Sequence, residues 1–270
     1  MPDRSTFYKF AGRLGEEKML EIFVHIVIQL INLGIIKGEK VSLDCSIKWA
    51  WFKDCRWSNN PRHDKKECRR NRSRDRDASW TWDHHREKYV YGYKVHVVID
   101  SDSGLSVMLT ITKALFIKMV LLNLPLIKIR KFLADAGYDG DKTRLQIVKR
   151  LKAVPFIPLN TRRSKGSTPE EKKARRKVLC YLFYARNFIK NYWVDPDSEE
   201  FDKEFDARTL SEQGFSIGKG SLNLDSLKHR GLEWVTLHSM CICMVMLLVA
   251  KTAIEIGRPD LTRCVRCFQG

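Results

Sequence analysis

The chain has 270 residues and a mass of 31.6 kDa, enough for one large domain or two small ones. Its 49 Lys+Arg against 32 Asp+Glu leave a formal charge of +17, which excludes a protein built for cationic partners and favours a polyanion such as nucleic acid or an acidic membrane surface. Hydrophobic residues at 44% exclude a wholly disordered basic tail.

The first twenty residues mix charges and lack the apolar stretch of a secretory signal. Residues 17–36 carry apolar side chains at helical spacing, with Gly34 and Gly38 as stop signals. From Val41 to Ile47 the pattern alternates: Val41, Leu43, Cys45 and Ile47 take one face, Ser42, Asp44 and Ser46 the other. That predicts a half-buried strand with one carboxylate on its polar face. Residues 53–88 have no usable periodicity, twelve Lys/Arg and seven Asp/Glu, and read as a long basic loop. Within or near it, Trp49, Trp51, Trp57, Trp80 and Trp82 are of a type that either stacks on unpaired bases or fills a core, and His63 and Cys68 are of metal-ligating type with no fixed fourth partner.

Tyr89–Asp100 and Leu105–Thr112 read as a hairpin around Ser101–Gly104, in which Asp100 and Asp102 are turn formers. Residues 114–129 predict a helix broken near Pro125. Lys131–Asp135 predicts a short strand ending in a carboxylate. A turn, a helix over 143–151 and an edge strand over 154–158 follow. This order is α/β with a mixed sheet. Downstream lie a basic block (162–177, eight Lys/Arg), an aromatic run and an acidic stretch (195–206). Trp234–Ala250 is 17 apolar-rich residues containing His238 and Ser239, short for a membrane span and better read as a buried core helix. The eight cysteines lack a disulfide-framework spacing, which predicts a reducing cytoplasm, and Cys264-x2-Cys267 is half of a zinc-site pattern.

Three carboxylates stand at element ends: Asp44, Asp135 and Glu212. Asp139 competes with Asp135, but Asp135 ends the apolar strand directly whereas Asp139 lies beyond Gly137 in the turn. Arg208, Glu212 and Lys219 share one face if the segment is helical. They read as a metal ligand flanked by phosphate contacts, or as an ordinary i,i+4 ion pair.

Phe205-x2-Arg208-x3-Glu212-x6-Lys219 resembles the tyrosine-arginine-glutamate-lysine signature of DDE-type insertion-sequence transposases, with Phe in the tyrosine position. Val41-Ser-Leu-Asp44, Tyr91–Asp100 (YGYKVHVVID) and Leu133–Asp139 (LADAGYD) resemble further motifs of that family in the same order, and the similarity runs over about residues 5–262. The resemblance implies a ribonuclease-H-like α/β fold: a mixed sheet flanked by helices, with a basic insertion before the last catalytic helix. It implies Asp44, Asp135 and Glu212 as catalytic metal ligands for two Mg²⁺ (or Mn²⁺) ions. Arg208 and Lys219, with Arg162, Arg163, Lys172 and Lys173 of the basic block, become DNA contacts. The implied partner is double-stranded DNA at element ends and target, bound by a homodimer, with no membrane association and a nucleoid-associated location in the cytoplasm.

The expected division is an N-terminal helical remnant (1–40), the first part of the catalytic core (41–160), the basic and aromatic insertion (161–206), the catalytic and core helices (207–262) and a tail (263–270). Three departures from the family pattern bear on activity. The Asn and His-Asp-Ser that usually follow the third strand are missing after Thr112, Gly214, Gly218 and Gly220 weaken the helix bearing Glu212, and few residues precede Asp44. The alternatives to an active transposase are therefore a truncated, inactive remnant that only binds DNA, and a stand-alone nuclease of the same fold.

Overall fold

The computed structural model describes residues 4–50, 75, 77–83, 86–112, 127–162, 164–224 and 231–268. Trp51, Trp57, His63, Cys68, Arg163 and the body of the helix expected over 114–129 lie outside the described residues.

Helix α1 (Arg4–Asn32) is interrupted at Gly15, whose φ of 72° and ψ of 174° are not helical. The chain then enters β1 (Lys40–Trp49), crosses to β2 (Ser79–Asp83), and forms the hairpin β3 (Lys88–Asp100) and β4 (Ser106–Thr112). Strand β5 (Lys131–Ala134) leads through a 3-10 turn (Ala136–Tyr138) into α2 (Asp141–Gln146) and β6 (Val154–Phe156). Four helices follow: α3 (Pro169–Arg186), α4 (Glu199–Phe205), α5 (Thr209–Leu222) and α6 (Leu232–Glu255).

The strands form one sheet in the order β2-β3-β1-β5-β6, with β4 also paired to β3. Strands β1, β3 and β4 are antiparallel neighbours, while β5 and β6 run parallel to β1 on its other side. This is the ribonuclease-H-like arrangement, a mixed sheet flanked by helices. Strand β2 and strand β4 take successive stretches of the same edge of β3, β2 opposite Lys88–Gly92 and β4 opposite Lys94–Ile99.

Two expectations about strands need correcting. Residues 79–83 lie inside the expected loop, yet Ser-Trp-Thr-Trp-Asp alternates over five residues and pairs with β3, leaving Trp80 and Trp82 on an exposed edge. The charged flanks mask so short a period. Strand β1 is also not half-buried: Ser42, Ser46 and Lys48 on its polar face are as enclosed as Val41 and Leu43. It is the central strand, and α5 and α6 cover that face. Lys48 Nζ lies 2.6 Å from His238 Nδ1 of α6.

Close approach of β1 and β3 depends on Gly92, where a Cβ would stand 2.2 Å from the Lys48 carbonyl oxygen. At the hairpin, buried Asp100 accepts hydrogen bonds from Ser103 N (3.0 Å) and Ser103 Oγ (2.6 Å), and from Gly38 N (2.8 Å) on the approach to β1. Asp102 lies on the surface, 3.7 Å from Lys37. Helix α6 is long and apolar enough to cross a membrane, but most of it is buried, packed between α1 and β4 as a core helix. Cys264 and Cys267, whose spacing is half of a zinc-site pattern, are joined to each other as a disulfide.

Candidate active site

The parallel register places Leu43 opposite Ala134, so Asp44 and Asp135, the next residue on each strand, adjoin where β5 ends. Asp135 starts the 3-10 turn and accepts a hydrogen bond from Gly137 N at 2.9 Å. Asp44 is mostly covered and accepts from Cys45 N at 2.8 Å. Burial raises the pKa of its carboxyl above the ordinary value. The Cys45 N–H and the Arg208 charge oppose that rise, and the negative charges of Asp135 and Glu212 add to it. The charges of Asp135 and Glu212 thus both reach Asp44.

The turn carrying Asp135 is pinned from below. Tyr138 is buried, and its hydroxyl is hydrogen-bonded to His96 Nδ1 at 2.7 Å and shared with the Cys45 thiol. His96 and Cys45 are register partners on β3 and β1, and alternation puts them on the face opposite Asp44. Burial, with the charge of Lys94, lowers the His96 pKa to about 4, so the ring is neutral at pH 7; burial pushes the Cys45 thiol up to about 12.

Asp139 has a different environment. Its fully buried carboxylate accepts from Arg144 Nε at 2.9 Å, Arg176 Nε at 2.9 Å and Nη2 at 3.0 Å, and Asn160 N at 2.8 Å. Both oxygens are committed to this cluster, which ties α3 to the turn and leaves no lone pair aimed at the edge. The structure thus separates the two aspartates that compete in the sequence.

Glu212 stands in the first turn of α5, which continues α4 through a 3-10 turn (Asp206–Arg208), so the run from Phe205 to Lys219 is helical throughout. Gly214 and Gly218 cost helix propensity, but Gly214 lets α5 lie close to β3, where a Cβ would come within 3.1 Å of Ile99 Cδ1, and Gly218 faces Leu224 just beyond the helix end at 3.4 Å. Arg208 Nη2 donates to Glu212 Oε1 at 3.1 Å and lies 3.9 Å from Asp44 Oδ1. Of the two readings of the signature, the i,i+4 ion pair is the one that forms, and its arginine also lies near the first aspartate. The guanidinium carbon sits 5.6 Å from the centre of the Phe205 ring.

The Glu212 side chain is 61% exposed, and among the described residues no three Asp, Glu, His or Cys side chains gather closely enough to hold a metal ion. Asp44 and Asp135 are brought together; Glu212 is held toward Arg208. The donor set is all carboxylate oxygen, which suits hard cations such as Mg²⁺.

A family model described as a transposase DDE domain matches residues 61–248. The chain belongs to this family. The match includes Asp135, Asp139 and Glu212 and begins after Asp44. No curated protein and no solved structure matches the chain.

The expected DNA contacts of this transposase domain are scattered. Lys219 is exposed on α5, Arg162 is exposed after β6, and Lys172 is partly covered on α3. Lys173 is paired with Asp197 at 2.5 Å. Lys177 pairs with Asp195 and Asp197, and Arg176 with Asp139 and Asp141. Sequence reasoning missed Tyr138, His96, Arg144 and Arg176 as supports of the site. Arg176 follows Asp139 by 37 residues, beyond any local pairing rule, though the tyrosine of the LADAGYD run was in view. Arg86, 4.0 Å over the Trp49 ring, was also missed.

Proposed function

We propose that this transposase domain cuts DNA strands at the ends of its own element and transfers them to target DNA, with Asp44, Asp135 and Glu212 as metal-binding carboxylates. The observation that carries this reading is the adjoining register of Asp44 and Asp135 on parallel strands, with the Glu212 charge acting on Asp44 from α5. Two divalent cations, Mg²⁺ or Mn²⁺, would when bound activate an attacking oxygen and stabilise a leaving one during phosphodiester exchange.

The protein's own part is placement. In this reading the Tyr138–His96 bond would hold the Asp135 turn and the sheet register would keep Asp44 beside it, while Glu212 extends from α5 toward Arg208. Arg208 and Lys219 supply charge for phosphates next to the cut, contacts that position DNA without reading its sequence. Arg162, Arg163, Lys172 and Lys173 would extend that contact along double-stranded DNA, with a homodimer engaging two ends in the cytoplasm. A second reading, DNA binding without cutting, is favoured by the outward setting of Glu212.

The deciding experiment is cleavage of a plasmid carrying the gene's flanking DNA, with Mg²⁺ or Mn²⁺, by the wild type and Asp135→Asn. Cutting at element ends by the wild type alone supports the transposase chemistry. Salt-dependent DNA binding with no cutting by either protein moves the conclusion to the second reading.

A further inference from the structure

We propose that the outer end of the β2–β3 hairpin is a stacking surface for unpaired bases of a DNA strand, separate from the carboxylate edge. This rests on the reading of the domain as one that acts on DNA.

The strand register builds the surface. Trp80 stands opposite Tyr91 and Trp82 opposite Tyr89 across β2 and β3, so these four rings share one face of the sheet. The ring centres are 5.4 Å apart in the first pair and 5.1 Å in the second, tilted or edge to face. Such cross-strand pairs stabilise a hairpin by themselves, and a purely structural ladder needs nothing more. These rings are nonetheless left open: Trp80 is 41% exposed, Trp82 40% and Tyr89 66%. Trp49, opposite Gly92 and so on the other face of the same hairpin, is 38% exposed. Aromatic surface thus stands open on both faces of a sheet edge, where apolar surface marks a site of association.

The chemistry beside the rings selects the occupant. Arg86 Cζ lies 4.0 Å from the centre of the Trp49 ring and Lys88 Nζ 5.8 Å, and both cations are exposed. The carboxylates of this turn are Asp83, buried and 3.9 Å from Arg86, and Glu87, exposed. Cations set against an indole, in a chain of net charge +17, suit a ligand with flat π-faces on an anionic backbone. An apolar protein partner would use the rings but not the cations. Unpaired bases fit because paired ones keep their faces stacked on neighbours and offer only edges in the grooves. The ladder lies on the sheet face of Asp44, since Asp44 is opposite Val97, and Val97, Tyr93, Tyr91 and Tyr89 alternate in phase. From Val97 to Tyr89 is about 27 Å of strand, so a DNA strand held here is gripped away from the carboxylate edge.

The test is binding of labelled oligo(dT), an abasic strand of equal length and charge, and a duplex by the full chain in EDTA. Anisotropy gives the affinities, quenching of tryptophan emission reports stacking, and circular dichroism checks folding. The wild type should bind oligo(dT) at least about tenfold more tightly than the abasic strand, with quenching by oligo(dT) alone. Tyr89→Ala, at the most exposed ring, should weaken oligo(dT) binding about fivefold or more and leave duplex binding within about twofold. Trp80→Ala should weaken oligo(dT) binding by about tenfold; if it misfolds, Trp80→Phe, which keeps a ring, should fold and bind near the wild type. Arg175→Gln, an exposed cation on α3, should weaken all three ligands alike. Equal affinity for oligo(dT) and the abasic strand, no loss in Tyr89→Ala, or equal losses on duplex and single strand would overturn the proposal. Tighter binding of oligo(rU) than of oligo(dT) would also overturn it, assigning the surface to RNA. If the chain binds no DNA of any form, the reading of the domain as acting on DNA fails and the proposal with it; duplex binding without a preference for bases over the abasic strand sinks the proposal alone.

Discussion

Replacing Asp139 by alanine should unfold the protein more easily and should do so without acting on the chemistry directly. The carboxylate is fully buried and meets two guanidiniums and one backbone N–H, all between 2.8 and 3.0 Å. Removing it leaves Arg144, itself only 2% exposed, with the Ile157 carbonyl at 2.7 Å and no carboxylate. Breaking a buried charge cluster in this way costs about 3–5 kcal/mol. Against a typical total of about 5–15 kcal/mol that is a large share. At about 2–4 °C per kcal/mol for a chain of this size, thermal melting at pH 7 should fall by roughly 10 °C.

The pH dependence has a definite sign. Burial works to raise the Asp139 pKa, but the Arg176 hydrogen bonds, the Arg144 charge and the Asn160 N–H outweigh it and hold the value below 3.8. A depressed folded-state pKa adds stability above the unfolded value and loses it as pH falls through the folded value. The difference in melting temperature between wild type and Asp139→Ala should therefore be full at pH 5–7 and shrink in acid below about pH 3.8. Asp135→Asn should melt within about 2 °C of the wild type, since Asp135 makes one exposed hydrogen bond. A native melting temperature for Asp139→Ala together with lost cutting would refute the reasoning and make Asp139 the second metal ligand.

Three further substitutions probe the supports of the site. Tyr138→Phe removes the hydroxyl that meets buried His96, and should cost about 1–3 kcal/mol in urea denaturation; no loss would mean the Asp135 turn is held by backbone alone. Gly92→Ala would push a Cβ into the Lys48 carbonyl, and should destabilise by more than about 2 kcal/mol or prevent folding; a native-like denaturation midpoint would show that β1 and β3 can part there. Gly220→Ala meets no atom within 4 Å on an exposed stretch of α5, and should raise stability by about 0.5–1 kcal/mol in the same assay, with a drop in midpoint counting against a regular helix at that position.

Much of the sheet was legible because β1, β3, β4 and β5 carry strong local signals: alternation from Val41 to Ile47, a long apolar run into Asp100, and a turn closed by Gly104. Strand β2 was not, since its five residues sit among charges and it exists through pairing with β3. The burial of Ser42, Ser46 and Lys48 was hidden for a related reason. Polar residues predict a wet face, and only the order of strands tells that β1 is central and that α5 and α6 close over it. At the site, residue types and spacing led to Asp44, Asp135 and Glu212, while the contact between Arg208 and Asp44 joins residues 164 positions apart in the chain and has no local signature.

The basic block illustrates how charge counted along a chain differs from charge presented to a partner. Of its eight Lys/Arg, Lys173, Arg176 and Lys177 face Asp139, Asp141, Asp195 and Asp197 of the same chain. Arg162, Lys165 and Arg175 are exposed. The paired cations do structural work: Arg176 clamps the turn that begins at Asp135, and Lys173 and Lys177 draw the acidic stretch before α4 against α3. Helix α4 in turn places Glu204 between Lys40 at 2.6 Å and Lys131 at 2.8 Å, at the starts of β1 and β5. The insertion thus grips both aspartate-bearing strands before the chain runs on into the helix of Glu212. Shortening it would disturb all three carboxylates together, whereas neutralising Lys165 or Arg175 would leave them in place and act on surface charge alone.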